Sequence, residues 1–77
     1  MRTTVINFNQ KQGIVEKSIY PLDAKQSLIS YIMQMQNRTD IQDYPDNIEG
    51  IKQKNSTTYF YEDKTHNSTI FSTLEHL

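Results

Sequence analysis

Alternating apolar and polar residues predict two short strands near the N-terminus, over residues 3–9 and 14–20. Residues 3–9 are rich in β-branched and aromatic side chains. One face of this strand is expected to carry Thr4, Ile6 and Phe8. A polar connection ending in Gly13, a natural residue for positive φ, leads into a second strand over residues 14–20. Simple alternation places Ile14 and Tyr20 on one face of it and Val15 and Ile19 on the other.

One segment has helical periodicity. Asp23 is a good N-cap residue, and Gln26 follows at the spacing of a capping box. The predicted helix runs over 24–36, with Asn37 as a left-handed residue at its C-terminal end. Its apolar residues exceed a single stripe, which predicts contacts on more than one side. They are Ala24, Leu28, Ile29, Tyr31, Ile32, Met33 and Met35.

The C-terminal half predicts two or three more strands after a polar connection over 38–47. Residues 47–54 are ambiguous between a helical turn and a strand, and Gly50 favours the strand. Residues 57–62 and 68–74 flank a five-residue polar loop, which predicts a hairpin. With that loop length, the expected cross-strand pairs are Phe60 with Ile70 and Tyr59 with Phe71.

The predicted fold class is therefore α+β, with one domain over 1–77. A small antiparallel sheet of four to five strands carries the 24–36 helix on one face, and the order along the chain is ββα followed by two or three strands. The expected core comprises Ile6, Phe8, Leu28, Ile32, Met35, Phe60 and Ile70.

The strands carry large apolar residues on both faces, whereas one helix can cover only one face. In the run 57–62, Tyr59 and Tyr61 point one way and Phe60 the other. The chain has no cysteine, so oligomerisation is the remaining way to reinforce a 77-residue domain. We expect a homodimer or a protein target to supply the second layer, or the last strand to pair with its copy. The expected contact residues are Tyr59, Tyr61, Phe71, Ile14 and Tyr20.

Composition and motifs indicate no chemistry beyond binding. The net charge of −1 favours neither a polyanion nor a membrane surface. Neither His66 nor His76 has a neighbouring motif that suggests a catalytic partner, and two glycines cannot form a phosphate-binding loop. The acidic series Asp40, Asp43, Asp46 and Glu49 is interpreted as solvated. A chain this short is expected to have little room for a pocket of about 300 Å³. We expect no catalytic residue, no metal and no cofactor.

The expected function is a non-enzymatic interaction module, regulatory or inhibitory, of bacterial or phage accessory type. Richness in Asn, Lys, Ile and Tyr fits an AT-rich genome. The sequence starts at Met1 without a secretory signal or an apolar membrane span, which predicts a cytoplasmic protein. The alternative is a single-stranded nucleic-acid-binding protein. It would use Tyr59, Phe60 and Tyr61 together with Lys52 and Lys54.

Overall fold

A computed structural model describes residues 1–37 and 48–76 and contains one helix and one five-stranded antiparallel sheet. The elements in chain order are β1 (Thr3–Asn9), β2 (Gly13–Tyr20), α1 (Ala24–Gln36), β3 (Ile48–Lys52), β4 (Ser56–Asp63) and β5 (Ser68–Glu75). The order of strands across the sheet is β2-β1-β5-β4-β3. This arrangement confirms the predicted α+β fold, and the ambiguous segment 47–54 contains a strand, β3, as Gly50 indicated. The connection over 38–47 lies outside the described residues, together with Asp40, Asp43 and Asp46.

The last strand of the chain lies in the middle of the sheet. β5 is paired with β1 on one side and with β4 on the other, so both rows of its backbone groups are used. The prediction that the last strand pairs with its copy is therefore wrong, because β5 has no free edge. The edges of the sheet are β2 and β3.

The helix begins and ends where the sequence predicts. The Asp23 carboxylate accepts a hydrogen bond of 2.8 Å from the backbone N–H of Gln26, which satisfies one of the unpaired donors of the first turn. Asn37 ends the helix in the left-handed region at φ 53° and ψ 46°. The helix start is also bound to β5, because the Ser72 hydroxyl donates to the Ala24 carbonyl at 2.7 Å.

The core lies between α1 and one face of the sheet. Its buried apolar residues are Val5, Leu28, Ile29, Tyr31, Ile32 and Ile70. The prediction was correct for Leu28, Ile32 and Ile70 but wrong for Ile6, Phe8, Phe60 and Met35. Val5 and Ile70 fix which alternate residues point toward the helix, so Ile6, Phe8 and Phe60 point the other way. Met35 is exposed because the apolar surface of the helix is wider than its contact with the sheet.

The β4–β5 hairpin has a shorter loop than predicted. Asp63 pairs with Ser68, which leaves four residues in the loop and shifts every cross-strand pair by one. Phe60 consequently pairs with Phe71 and not with Ile70. Asp63 favours the tighter turn because its carboxylate accepts a hydrogen bond from the His66 backbone N–H at 3.3 Å.

A β-bulge changes the faces of β2. Asn7 pairs with Glu16 but Phe8 pairs with Ile14, so Val15 is an extra residue in the ladder. Simple alternation fails across the bulge, and Ile14 and Tyr20 lie on opposite faces. The prediction that these two residues share a face is wrong for this reason.

Gly50 is required by a close approach within the sheet. It pairs with Tyr59 of β4, and the tyrosine ring lies over the glycine. A Cβ atom at position 50 would lie 2.8 Å from Tyr59 Cδ1 and 2.9 Å from Cζ, closer than carbon atoms pack. The Tyr59 ring in turn packs against the core cluster.

Replacing Gly50 by alanine is expected to destabilise the fold by about 1–3 kcal/mol, because the Tyr59 ring must leave its position. Chemical denaturation of Gly50→Ala, Tyr59→Leu and the double variant measures the coupling. We expect the cost of Gly50→Ala to fall below about 0.5 kcal/mol in the Tyr59→Leu background. An equal cost in both backgrounds would remove the ring as its cause.

Candidate interaction surface

The sheet face opposite α1 is an extended apolar surface, called here the open face. Within residues 1–37 and 48–76, no helix or strand packs on it. Several of its apolar side chains are strongly exposed: 63% for Ile14, 51% for Ile19, 50% for Ile51 and 37% for Phe71. The strand residues of the open face are Thr4, Ile6, Phe8, Ile14, Lys17, Ile19, Glu49, Ile51, Ser56, Thr58, Phe60, Glu62, Thr69, Phe71, Thr73 and Glu75.

Aromatic rings and threonines occupy the middle of the open face. Phe60 and Phe71 are a cross-strand pair with ring centroids 6.4 Å apart and ring planes inclined by 39°. Beside them, the Thr58 and Thr73 hydroxyls share a hydrogen bond of 3.1 Å. One of these two hydroxyls donates to the other, so a partner that covers the middle of the face needs to accept only the one remaining O–H.

Two rows of directly paired residues cross all five strands of the open face. The central row, from β2 to β3, is Lys17, Ile6, Phe71, Phe60 and Glu49. The second row, in the same direction, is Ile19, Thr4, Thr73, Thr58 and Ile51. The central row thus has a cation at one edge, an anion at the other and apolar residues between them. The second row has isoleucine at both edges and threonine between.

A depression of about 900 Å³ lies at one end of the open face. Its lining includes the N-terminal Met1 and Arg2 together with Ile6 and Lys17 of the central row. The expectation that the chain has little room for a cavity above about 300 Å³ is therefore wrong. The depression makes part of the open face concave, so that a protruding side chain of a partner has space beside Ile6.

The structure divides the predicted contact residues between the two faces. Phe71 and Ile14 lie on the open face. Tyr20, Tyr59 and Tyr61 lie on the helix side, where they pack against the buried cluster. The predicted contact residues did not include the exposed Ile19 and Ile51, and Phe60 was predicted to lie in the core. Val5 and Ile70 identify the open face. Both are buried under α1, so the residues that alternate with them along β1 and β5 lie on the opposite, open face.

The aromatic residues of the nucleic-acid alternative do not form one platform. Tyr59 and Tyr61 lie on the helix side, and Phe60 lies on the open face. The strand positions of the open face carry three acids, Glu49, Glu62 and Glu75, against the single cation Lys17. This charge balance repels phosphates, whereas a nucleic-acid surface attracts them.

A polar cluster connects the helix to the edge strand β2. The Tyr31 hydroxyl donates to the Glu16 carboxylate and accepts a hydrogen bond of 3.1 Å from Asn7 Nδ2. Burial and the hydrogen bond to Glu16 raise the pKa of Tyr31 to about 12. The phenol is therefore neutral at pH 7 and serves as a donor rather than a base. It binds β2, which carries Lys17 of the open face, to α1.

The raised pKa of Tyr31 predicts a loss of stability at alkaline pH. Between pH 10 and about 12 the unfolded tyrosine loses its proton while the folded one keeps it, so stability falls as pH rises through this range. Tyr31→Phe is expected to cost about 1 kcal/mol at pH 7 through the lost hydrogen bonds. In urea titrations the difference from wild type should shrink above pH 10 and disappear before pH 12. A constant difference would contradict the role of Tyr31.

Both histidines are exposed, and both have hydrogen-bond partners. His66 Nδ1 lies 2.7 Å from the buried Asp63 carboxylate, and His76 Nε2 lies 2.7 Å from the Thr57 hydroxyl. The Asp63–His66 pair closes the β4–β5 loop. The nearby Ser68 hydroxyl donates to the His66 backbone carbonyl at 3.2 Å and not to its ring. These contacts do not form the serine–histidine–carboxylate relay of a hydrolase.

Comparisons with protein-family models, with curated proteins and with solved structures found no match to this chain. In the part of the chain that the structure describes, no helix is both long and apolar enough to cross a membrane. Over the same residues, no group of three or more His, Cys, Asp or Glu side chains is placed to hold a metal ion.

Proposed function

We propose that this protein is a non-enzymatic interaction module that self-associates through the open face. The observation that carries the proposal is the exposure of Ile14, Ile19, Ile51 and Phe71 on a sheet whose other face packs against α1. Contiguous apolar surfaces of this kind are typical of protein–protein contacts.

The size of the open face supports a specific contact. Five strands about 4.8 Å apart and about seven residues long give a footprint of roughly 550 Å². Two copies packed face to face would bury about 1,100 Å² in total, slightly more than the roughly 1,000 Å² expected of a biological interface. At about 25 cal/mol per Å² of apolar surface, even partial burial is favourable.

The composition of the open face also resembles an interface. Ile6, Phe60 and Phe71 occupy its middle, while the charged strand residues lie at its edges or ends. Interfaces commonly have such an apolar centre with a polar rim. A face-to-face contact also needs no pairing of the edge strands, and it leaves the ladder of β5 intact.

Methyl NMR of the purified protein with a soluble paramagnetic agent tests this proposal. Ile19 and Ile51 are half exposed in the single chain, whereas Ile32 is fully buried under the helix. If a second copy covers the open face, the Ile19 and Ile51 methyl signals should resist broadening nearly as well as the Ile32 signal. The Met35 methyl, exposed on α1 away from the open face, provides the positive control.

Strong broadening of Ile19 and Ile51, at concentrations where Ile32 is unaffected, would contradict self-association through this face. Protection of these two methyls in a sample of single-copy mass would also contradict it, because another part of the same chain would then provide the cover.

A further inference from the structure

We infer that the open face binds a second copy of this chain about a two-fold axis parallel to β5, with Lys17 of each copy against Glu49 of the other. This inference rests on the proposed function and specifies its partner and geometry. It follows from the order of residues in the two rows that cross the sheet.

The symmetry operation determines which residues meet. A two-fold axis between two facing sheets and parallel to β5 reverses the strand order from edge to edge, but keeps each position along the strands. Because β5 is the third of five strands, it lies on the axis and faces its own copy. The edge strand β2 then faces β3 of the second copy.

The central row is complementary to the same row of the second copy running in the opposite direction. Phe71 meets Phe71 of the second copy at the axis, and Ile6 meets Phe60 on either side. At the edges, Lys17 meets Glu49, once at each end of the row. All three kinds of contact are favourable: aromatic on aromatic, aliphatic on aromatic and cation against anion.

The second row reads almost the same in both directions. Reversal places Ile19 against Ile51 and Thr4 against Thr58, with Thr73 at the axis. No charge is buried in this row, and each of its threonines meets a threonine of the second copy. Both rows therefore fit the same axis.

The shape of the face agrees with this register. Ile6 belongs to the lining of the 900 Å³ depression, so the Phe60 ring of the second copy has space to enter it. Glu62 and Glu75 lie at opposite ends of the open face, outside both rows. The two Glu75 residues approach each other at the end of the axis, where, like Glu62, they are exposed and belong to the hydrated rim of the contact.

The two-fold axis in the same plane but perpendicular to β5 is disfavoured by charge. An axis along the central row would keep the strand order and place Lys17 over Lys17 and Glu49 over Glu49. Like charges at both edges oppose association, whereas the axis parallel to β5 pairs opposite charges at both edges.

Charge exchange tests the inference by sedimentation equilibrium. Each of Lys17→Glu and Glu49→Lys creates two like-charge contacts in the dimer, and we expect either change to weaken it about tenfold. The double variant restores both pairs within one chain and should recover the wild-type dissociation constant to within about twofold. Lys25→Glu, on the exposed side of α1, changes the net charge equally and should have no comparable effect.

The outcomes separate the inference from the proposed function. If Phe71→Asp dissociates the protein but both single charge variants dimerise like wild type, the open face is an interface and the axis inferred here is wrong. Weakening by the single variants without recovery in the double variant would also overturn the Lys17–Glu49 pairing. If Phe71→Asp and the charge variants all leave the mass unchanged, the proposed function fails as well. Far-UV circular dichroism verifies that each variant is folded.

Discussion

Replacing Phe71 by aspartate is expected to convert the dimer into folded single chains, with a dissociation constant at least about 100-fold higher. Phe71 is the middle residue of the central row, and its contact with Phe60 forms the centre of the open face. With a two-fold axis along β5, one substitution removes two rings from the contact and brings two carboxylates together. Sedimentation equilibrium over a dilution series measures the change.

The fold should tolerate this substitution because Phe71 is 37% exposed and contributes nothing to the cluster under α1. Thr65→Asp in the exposed β4–β5 loop is the matched control, since it adds the same charge away from the open face. A Phe71→Asp protein that keeps the wild-type mass would exclude Phe71 from the interface. If this variant does not fold, Phe71→Ser provides the same comparison without the added charge.

Replacing Leu28 by aspartate is expected to unfold the chain. Leu28 is fully buried in the middle of the cluster between α1 and the sheet. Removing a buried leucine side chain costs about 2–5 kcal/mol, and an unpaired carboxylate in its place costs several more. A domain of this size has a total stability near the lower end of 5–15 kcal/mol. Thermal and urea unfolding followed by far-UV circular dichroism measure the result.

Leu22→Asp is the matched control for this prediction, because Leu22 is 38% exposed just before the helix N-cap. We expect it to retain the wild-type spectrum and most of the stability. A Leu28→Asp protein with a native melting transition would contradict the assignment of α1 and of the face that it buries.

The architecture could be predicted from local signals. Asp23, Asn37 and the helical repeat between them determine α1, and Gly13 marks the first hairpin through its positive φ of 83°. Strand positions follow from β-branched and aromatic runs. These features depend on neighbours in sequence, which is why the order ββα followed by three strands agrees with the structure.

The faces of the strands could not be predicted as well, because each depends on pairing over a distance. Asp63 extends the last hairpin by one pair, and this shift pairs Phe60 with Phe71 and Tyr59 with Ser72. The bulge at Val15 places Ile14 and Tyr20 on opposite faces of the sheet, where simple alternation would place them on the same face. Apolar residues on both sides of the strands predicted a second apolar face, and among residues 1–37 and 48–76 no helix or strand covers it. Which residues form that face could not be predicted, because it depends on Val5 and Ile70 being the residues that point toward α1.

Multi-angle light scattering of the purified protein is the most direct measurement of whether a second copy covers the open face. At about 100 µM, within the affinity range of interfaces of this size, the expected mass is twice the chain mass of 9.1 kDa. A mass of 9.1 kDa at that concentration would contradict self-association through the open face.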